Sequence, residues 1–276
     1  MNETVLVNVG CGTRFDRRWI NLDLIKRDGV TPCDITKGLP LESSSADAIY
    51  HSAVLEHIRP SNTHAFLKEC HRVLKPQGIL RVAVPDFEQQ AKQYLESIQR
   101  IDSGVPNADA DRQWMLLEMI DQSSREVSGG KMASYLSSPS LCNESFVVER
   151  IGNEGRELIQ AMRGSTRRND SAATPAKVRG RSIGRFLLKW LLGSQDVDTD
   201  LLALSIGRFR LSGEVHQWAY DRYSISTLLQ EANYKNVKIC NHGTSQIDNW
   251  NDYGLEIDNE GRIIKPDLMI AECTKP

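Results

Sequence analysis

Eight residues, Thr13 to Ile20, separate the glycine turn Gly10-Cys11-Gly12 from Asn21, and no other feature limits this chain as much. Before the turn, Val5, Leu6, Val7 and Val9 form an apolar run; after it, Trp19-Ile20-Asn21-Leu22 forms another that ends on Asp23. An apolar run giving way to glycines predicts a buried strand that turns sharply at its carboxyl end. Glycines there let backbone amides approach a ligand that a Cβ would hold away. An acid closing the next strand can accept both hydroxyls of a ribose. Once Trp19 and Ile20 are given to strand two, the interval holds a turn of helix and no full crossover helix. A dinucleotide fold needs that helix, because its N-terminus holds the pyrophosphate. The loop also lacks the third glycine of that fingerprint. The site predicted is one for a nucleoside without a pyrophosphate.

Four segments in order, VNVGCG, NLD, Cys33-Asp34-Ile35 and SAVLEHI, resemble the class I S-adenosylmethionine-dependent methyltransferases. The likeness is greatest to a bacterial branch with a shortened first helix, often associated with glycan modification. It covers about residues 4–90 and 214–275, and Asn8 stands where the family often carries an acid. The resemblance implies an α/β fold with a Rossmann-like seven-stranded sheet, its last strand antiparallel. It also implies S-adenosylmethionine (SAM) as cofactor. Gly10, Cys11 and Gly12 would then line its methionine end, Asp23 its ribose, Asp34 and Ile35 its adenine, and Ser52 the segment beside its sulfur. The competing reading of Asp34 is a turn cap.

Net charge of −2 gives no global attraction to nucleic acid or acidic membranes, and no RNA-binding motif is present. Six cysteines are scattered without a CxxC pair, which suits a reducing compartment and argues against a zinc site or disulfide framework. The N-terminus enters a strand at once, with no basic, apolar leader, so a cytoplasmic location is expected. No oligomeric state is implied.

Along the chain, Val30 to Cys33 read as a third strand, on an edge because of Pro32. Ala46 to Tyr50 read as strand four, with Ser61 expected to cap the helix that follows. That helix carries Phe66, Leu67, Cys70, Val73 and Leu74 on one face and ends in the turn Lys75 to Gly78. Ile79 to Val84 is strand five. Asp86 at its carboxyl end either meets substrate or caps the next helix. Ser224 is expected to cap a helix ended by Asn233, and Val237 to Cys240 and Leu268 to Cys273 close the sheet as a hairpin. Residues 1–99 and 214–276 thus form the core. Residues 100–213 form a large, mostly helical insertion, a lid or acceptor-binding element in which Leu116, Leu117 and Ile120 pack. Within it, residues 163–192 join a basic run from Arg163 to Arg185 to an apolar Trp190 segment. That pattern suits either a docked lid helix or contact with a membrane surface bearing a lipid-linked acceptor.

The function expected is methyl transfer from SAM to an acceptor hydroxyl, a small molecule or a sugar of a bacterial surface glycan. A non-catalytic SAM-binding scaffold is the alternative, and an NAD-dependent oxidoreductase is disfavoured by the short loop after Gly12. Histidine has the best-placed ordinary pKa for taking the acceptor's proton at neutral pH. Of the six histidines, His216 lies where the chain returns from the insertion, near Trp218, Tyr220 and Tyr223. It is the expected base, with a rate rising through an ionisation near that of histidine; Asp86 is the second candidate. His51 and His57 do not have a standard metal spacing, so no metal is expected.

Overall fold

A computed structural model describes residues 4–169 and 197–276. Seven strands form one sheet: β1 (Leu6–Val9), β2 (Ile20–Asp23), β3 (Thr31–Pro32), β4 (Ala46–Ser52), β5 (Leu74–Pro85), β6 (Lys235–Cys240) and β7 (Leu268–Thr274). Their order is β3-β2-β1-β4-β5-β7-β6, with β7 antiparallel to both of its neighbours and β1 to β5 parallel. This is the Rossmann-like methyltransferase sheet with its antiparallel last strand. β3 is an edge, as its proline requires.

Strand periodicity divides the inward side chains between two faces. Val7 and Val9, Ile49, Leu80 and Val82, and Met269 and Ala271 meet α1 (Pro60–Val73) through Phe66, Leu67, Cys70 and Val73. The same cluster includes Ile225 and Leu229 from a helix near the C-terminus. Leu6, Ala48, Tyr50 and Ile270 point to the other face, where the interval after β1 supplies only Trp19. A long segment between β6 and β7 covers it with Ile247, Trp250 and Leu255. Trp19, Tyr50, Trp250 and Tyr253 pack edge-to-face, with ring centroids 5.0–6.5 Å apart. Beneath them Arg81 is fully buried, bonded through Nε to Glu256 at 3.0 Å and through Nη1 to Glu272 at 2.9 Å. Its guanidinium lies 4.6 Å from the Trp250 ring.

Several helix boundaries differ from the sequence reading. α1 starts at Pro60 with Arg59 in the capping position, so Ser61 lies inside its first turn; proline suits that start because its missing N–H has no helical partner. β5 begins at Leu74 and runs through the expected turn. The C-terminal helix (Arg222–Glu231) is capped by Asp221, and Ser224 returns the bond from the third helical position.

α2 (Phe87–Asp102) runs unbroken through the boundary expected at residue 100 and packs on α3 (Ala108–Leu116). α4 (Gly130–Leu136) and α5 (Glu144–Asn169) complete a separate core of Trp114, Met115, Leu136, Val147 and Ile159. Ile120 is exposed instead of packed. A π-turn at Leu117–Asp121 shifts the register, turning Glu118 and Asp121 inward. α5 bends at Gly152, where a Cβ would strike the Ile264 carbonyl; only glycine lets it approach the segment before β7. Another helix (Val197–Arg210) leads back to the core. Of the basic run, Arg163 is engaged within the insertion, with Ser138 O at 3.0 Å and Glu144 at 2.7 Å. Residues 170–196, which hold most of the expected membrane-contact segment, lie outside the described residues. Among the described residues no helix is long and apolar enough to cross a membrane.

Candidate active site

The carboxyl ends of β1, β2 and β4 meet at Gly10. Its φ of 67° suits glycine, and a Cβ there would collide with Val54 on the loop after β4. Gly12 has a φ of 57°, and its missing Cβ would point into open space. The Gly12 N–H donates to Asp23 Oδ2 at 2.8 Å, while Asp23 Oδ1 accepts from Ile25 N at 2.9 Å. Asp23 Oδ1 also accepts from Arg27 Nη1 at 3.3 Å, so Asp23 braces the glycine turn and keeps about one of a carboxylate's four acceptor sites for a ligand.

Two clefts run along this edge and share Gly10 and Ala53. One, of about 500 Å³, is lined by Asp23, Asp34, Ile35 and Thr36 and by His57 and Gln217. The other, of about 270 Å³, is lined by Cys11, Gly12 and Ser52. All seven residues expected to bind the cofactor thus come together. Asp34 also caps its own turn, accepting from Thr36 Oγ1 at 2.6 Å and pairing with Lys37 at 2.9 Å. Those two partners hold its carboxyl down at about 2. Burial pushes the Cys11 thiol up to about 11, so this cysteine is a wall of the cleft and no nucleophile at neutral pH.

Sequence reasoning missed the far wall of the smaller cleft. Glu154 and Glu157 reach it from α5, and Lys265 from the segment before β7, pairing with Glu154 at 3.1 Å. Asn8, in the place of the family's acid, lines the same cleft, and its buried Nδ2 has no hydrogen-bond partner. An orphaned donor, two acids and a lysine fit a ligand bearing both an amine and a carboxylate, as the methionine end of SAM does. These residues come from three segments over a hundred positions apart, so no motif could have joined them.

A third cleft, of about 240 Å³, meets the larger one at Gln217 and is lined by Glu56, Phe87, Glu118, Gln122, His216, Trp218 and Tyr220. Glu118 is held there by Arg150 at 2.7 Å. The His216 N–H donates to Gln122 O at 3.0 Å and the Gln217 N–H to Glu56 O at 2.6 Å. These bonds bring His216 beside His57, edge to face with centroids 4.6 Å apart. Burial, then His57 and Arg125, push the His216 imidazole down to about 3. That lies well below the ordinary histidine value at which the expected base would titrate. Burial pushes the Glu56 carboxyl up to about 8. Glu56, His57 and His216 each place a ligand atom within 4.8 Å of the others. The sequence reading found no such set, because it paired His57 with His51. His51 instead packs on Phe66 inside the core. Tyr223, expected near His216, is exposed and does not line this cleft. Asp86 caps α2, accepting from Gln89 N at 3.0 Å, and does not line the three clefts.

Residues 21–82 match a family model described as a methyltransferase domain. No curated protein matches the sequence. Among solved structures, a chain from a Haloferax volcanii complex of the Trm112 activator with a methyltransferase is 20% identical over 33% of this chain, with a TM-score of 0.26. The match spans 49% of that chain, about half its length. A SAM-dependent methyltransferase from Archaeoglobus fulgidus is 12% identical over 99% of this chain and 86% of its own, with a TM-score of 0.38. One from Thermotoga maritima is 13% identical over 100% and 84%, also with a TM-score of 0.38. These likenesses are weak, and the strand order establishes the fold without them. The strand order is that of the Rossmann-like methyltransferase sheet, and the matched segment spans β2 to β5 within it.

Proposed function

We propose that this protein transfers the methyl group of SAM to an acceptor hydroxyl, with a sugar of a bacterial surface glycan as the preferred class. The observation that carries this reading is the joining of three clefts. Two meet at Gly10 and Ala53 and suit the two ends of the cofactor; the third opens from the larger of them at Gln217 and suits an acceptor. The cofactor supplies an electrophilic methyl on a sulfonium. The protein's part is to align the acceptor oxygen and accommodate its proton. The neutral imidazole of His216, which lines the acceptor cleft beside Glu56 and His57, would take up that proton. Bound there, the cofactor would give up its methyl group and leave as a thioether, while the residues of the third cleft would hold the acceptor oxygen in line with the carbon–sulfur bond. The hydroxyl and glycan preference rests on the sequence resemblance. All six cysteines are free thiols, which supports a reducing, cytoplasmic setting.

Calorimetry against SAM, its demethylated product and NAD tests the cofactor. Binding of the first two and not NAD is expected. Asp23→Ala should weaken SAM by about 1.5–3 kcal/mol, the scale of a hydrogen bond to a charged group; unchanged affinity would remove Asp23 from the site. Methyl transfer to nucleotide sugars and lipid-linked glycans then tests the acceptor.

A further inference from the structure

Glu56, His57 and His216 bring ligand-type atoms within 4.8 Å of one another, and those of Glu56 and His57 Nδ1 are buried without a protein hydrogen-bond partner. Glu56 is 1% exposed, yet neither carboxylate oxygen has a hydrogen-bond partner. Such burial is costly unless something satisfies the group. His57 Nδ1 is likewise buried and unpartnered. A neutral imidazole carries one nitrogen lone pair, and it is that lone pair which binds a metal ion. The backbone bonds of His216 to Gln122 and of Gln217 to Glu56 hold the three residues together from two distant segments.

We propose that Glu56, His57 and His216 bind a divalent transition-metal ion, with an open coordination position toward the acceptor cleft. Two imidazoles and one carboxylate form a donor set suited to zinc, and catalytic zinc sites keep three protein ligands and one open place. Zinc bonds of about 2.0–2.2 Å place ligand atoms roughly 3.3 Å apart. The three atoms, now within 4.8 Å of one another, draw inward on binding. On the methyltransferase reading, on which this role rests, the ion would bind the acceptor oxygen and lower its pKa. His216 then acts as a ligand and not as the base.

Chelator-stripped full-length protein is titrated with Zn²⁺ alone in competition with a chromophoric chelator, and with Co²⁺ to read its visible absorption. One Zn²⁺ per chain is expected, with affinity lowered about 100-fold or more by Glu56→Gln or His216→Asn, and unaltered by His64→Asn. His216→Cys should retain the metal and add a thiolate charge-transfer band to the cobalt spectrum, a result that a misfolded variant cannot give. Wild-type affinity no better than that of His216→Asn, or a cobalt spectrum unmoved by His216→Cys, overturns the site. SAM calorimetry on the same samples separates the two readings. Cofactor binding without zinc removes the metal site alone, and zinc binding without SAM removes the methyltransferase reading alone.

Discussion

On one face of the sheet Val7, Val9, Leu80 and Val82 meet helices; on the other Leu6, Tyr50 and Ile270 meet an irregular segment that carries Trp250 and Leu255. The helical face is almost wholly apolar, its strands adding the buried His51 and Cys273. The other face holds an arginine between two glutamates, ringed by aromatic side chains. The contrast follows from the short interval after β1. Without a helix there, a loop must cover the strands, and loops carry backbone polar groups that need partners. Arg81 supplies them, donating to the carbonyls of Thr244 at 2.9 Å and His242 at 3.2 Å as well as to its two glutamates. One side is thus held by area and shape, the other by a connected polar network.

The largest expected effect tests that network. Arg81→Met strands two buried carboxylates and should cost about 3–5 kcal/mol in urea unfolding. Adding Glu256→Gln should recover part of the loss. A near-neutral Arg81→Met would show that aromatic packing alone holds the loop and would erase the contrast. On the helical face, burial pushes the His51 imidazole from its ordinary 6.5 down to about 3. Between those values the unfolded chain binds a proton that the folded one does not. Stability is therefore full above pH 6.5 and falls as pH drops toward 3, by about 1.4 kcal/mol for each pH unit crossed. His51→Phe should flatten that acid limb by a few kcal/mol. An unchanged pH profile in the variant would mean that other groups set it. The smallest expected effect is Asp221→Ala, which removes the cap of the C-terminal helix on the same face. About 1 kcal/mol should be lost, without a change in SAM affinity; a fall in affinity would tie this helix to the cofactor site.

The glycine turn, Asp23, Asp34 and Ile35 were legible because each closes a short strand, and strand ends of a parallel sheet gather at one edge whatever lies between them. The apolar face was legible for a related reason: Phe66, Leu67, Cys70 and Val73 recur at helical spacing and strand residues alternate, so period alone assigns them inward. The helix caps were harder to place, since Asp221 and Ser224 are both good capping residues and only the backbone angles choose between them.

What the tertiary structure decided are the meetings between segments remote in the chain. Arg81 reaches Glu256 across 175 positions, and Glu154 enters the cleft beside Gly12 from the insertion. His216 joins Glu56 and His57 through backbone bonds that carry no side-chain signature. Local sequence determines periodicity, turns and the strand ends that face a ligand. Which polar groups then share one dry space depends on how loops cross the finished sheet. That is set by the burial of the whole chain and not by the spacing of a few of its residues.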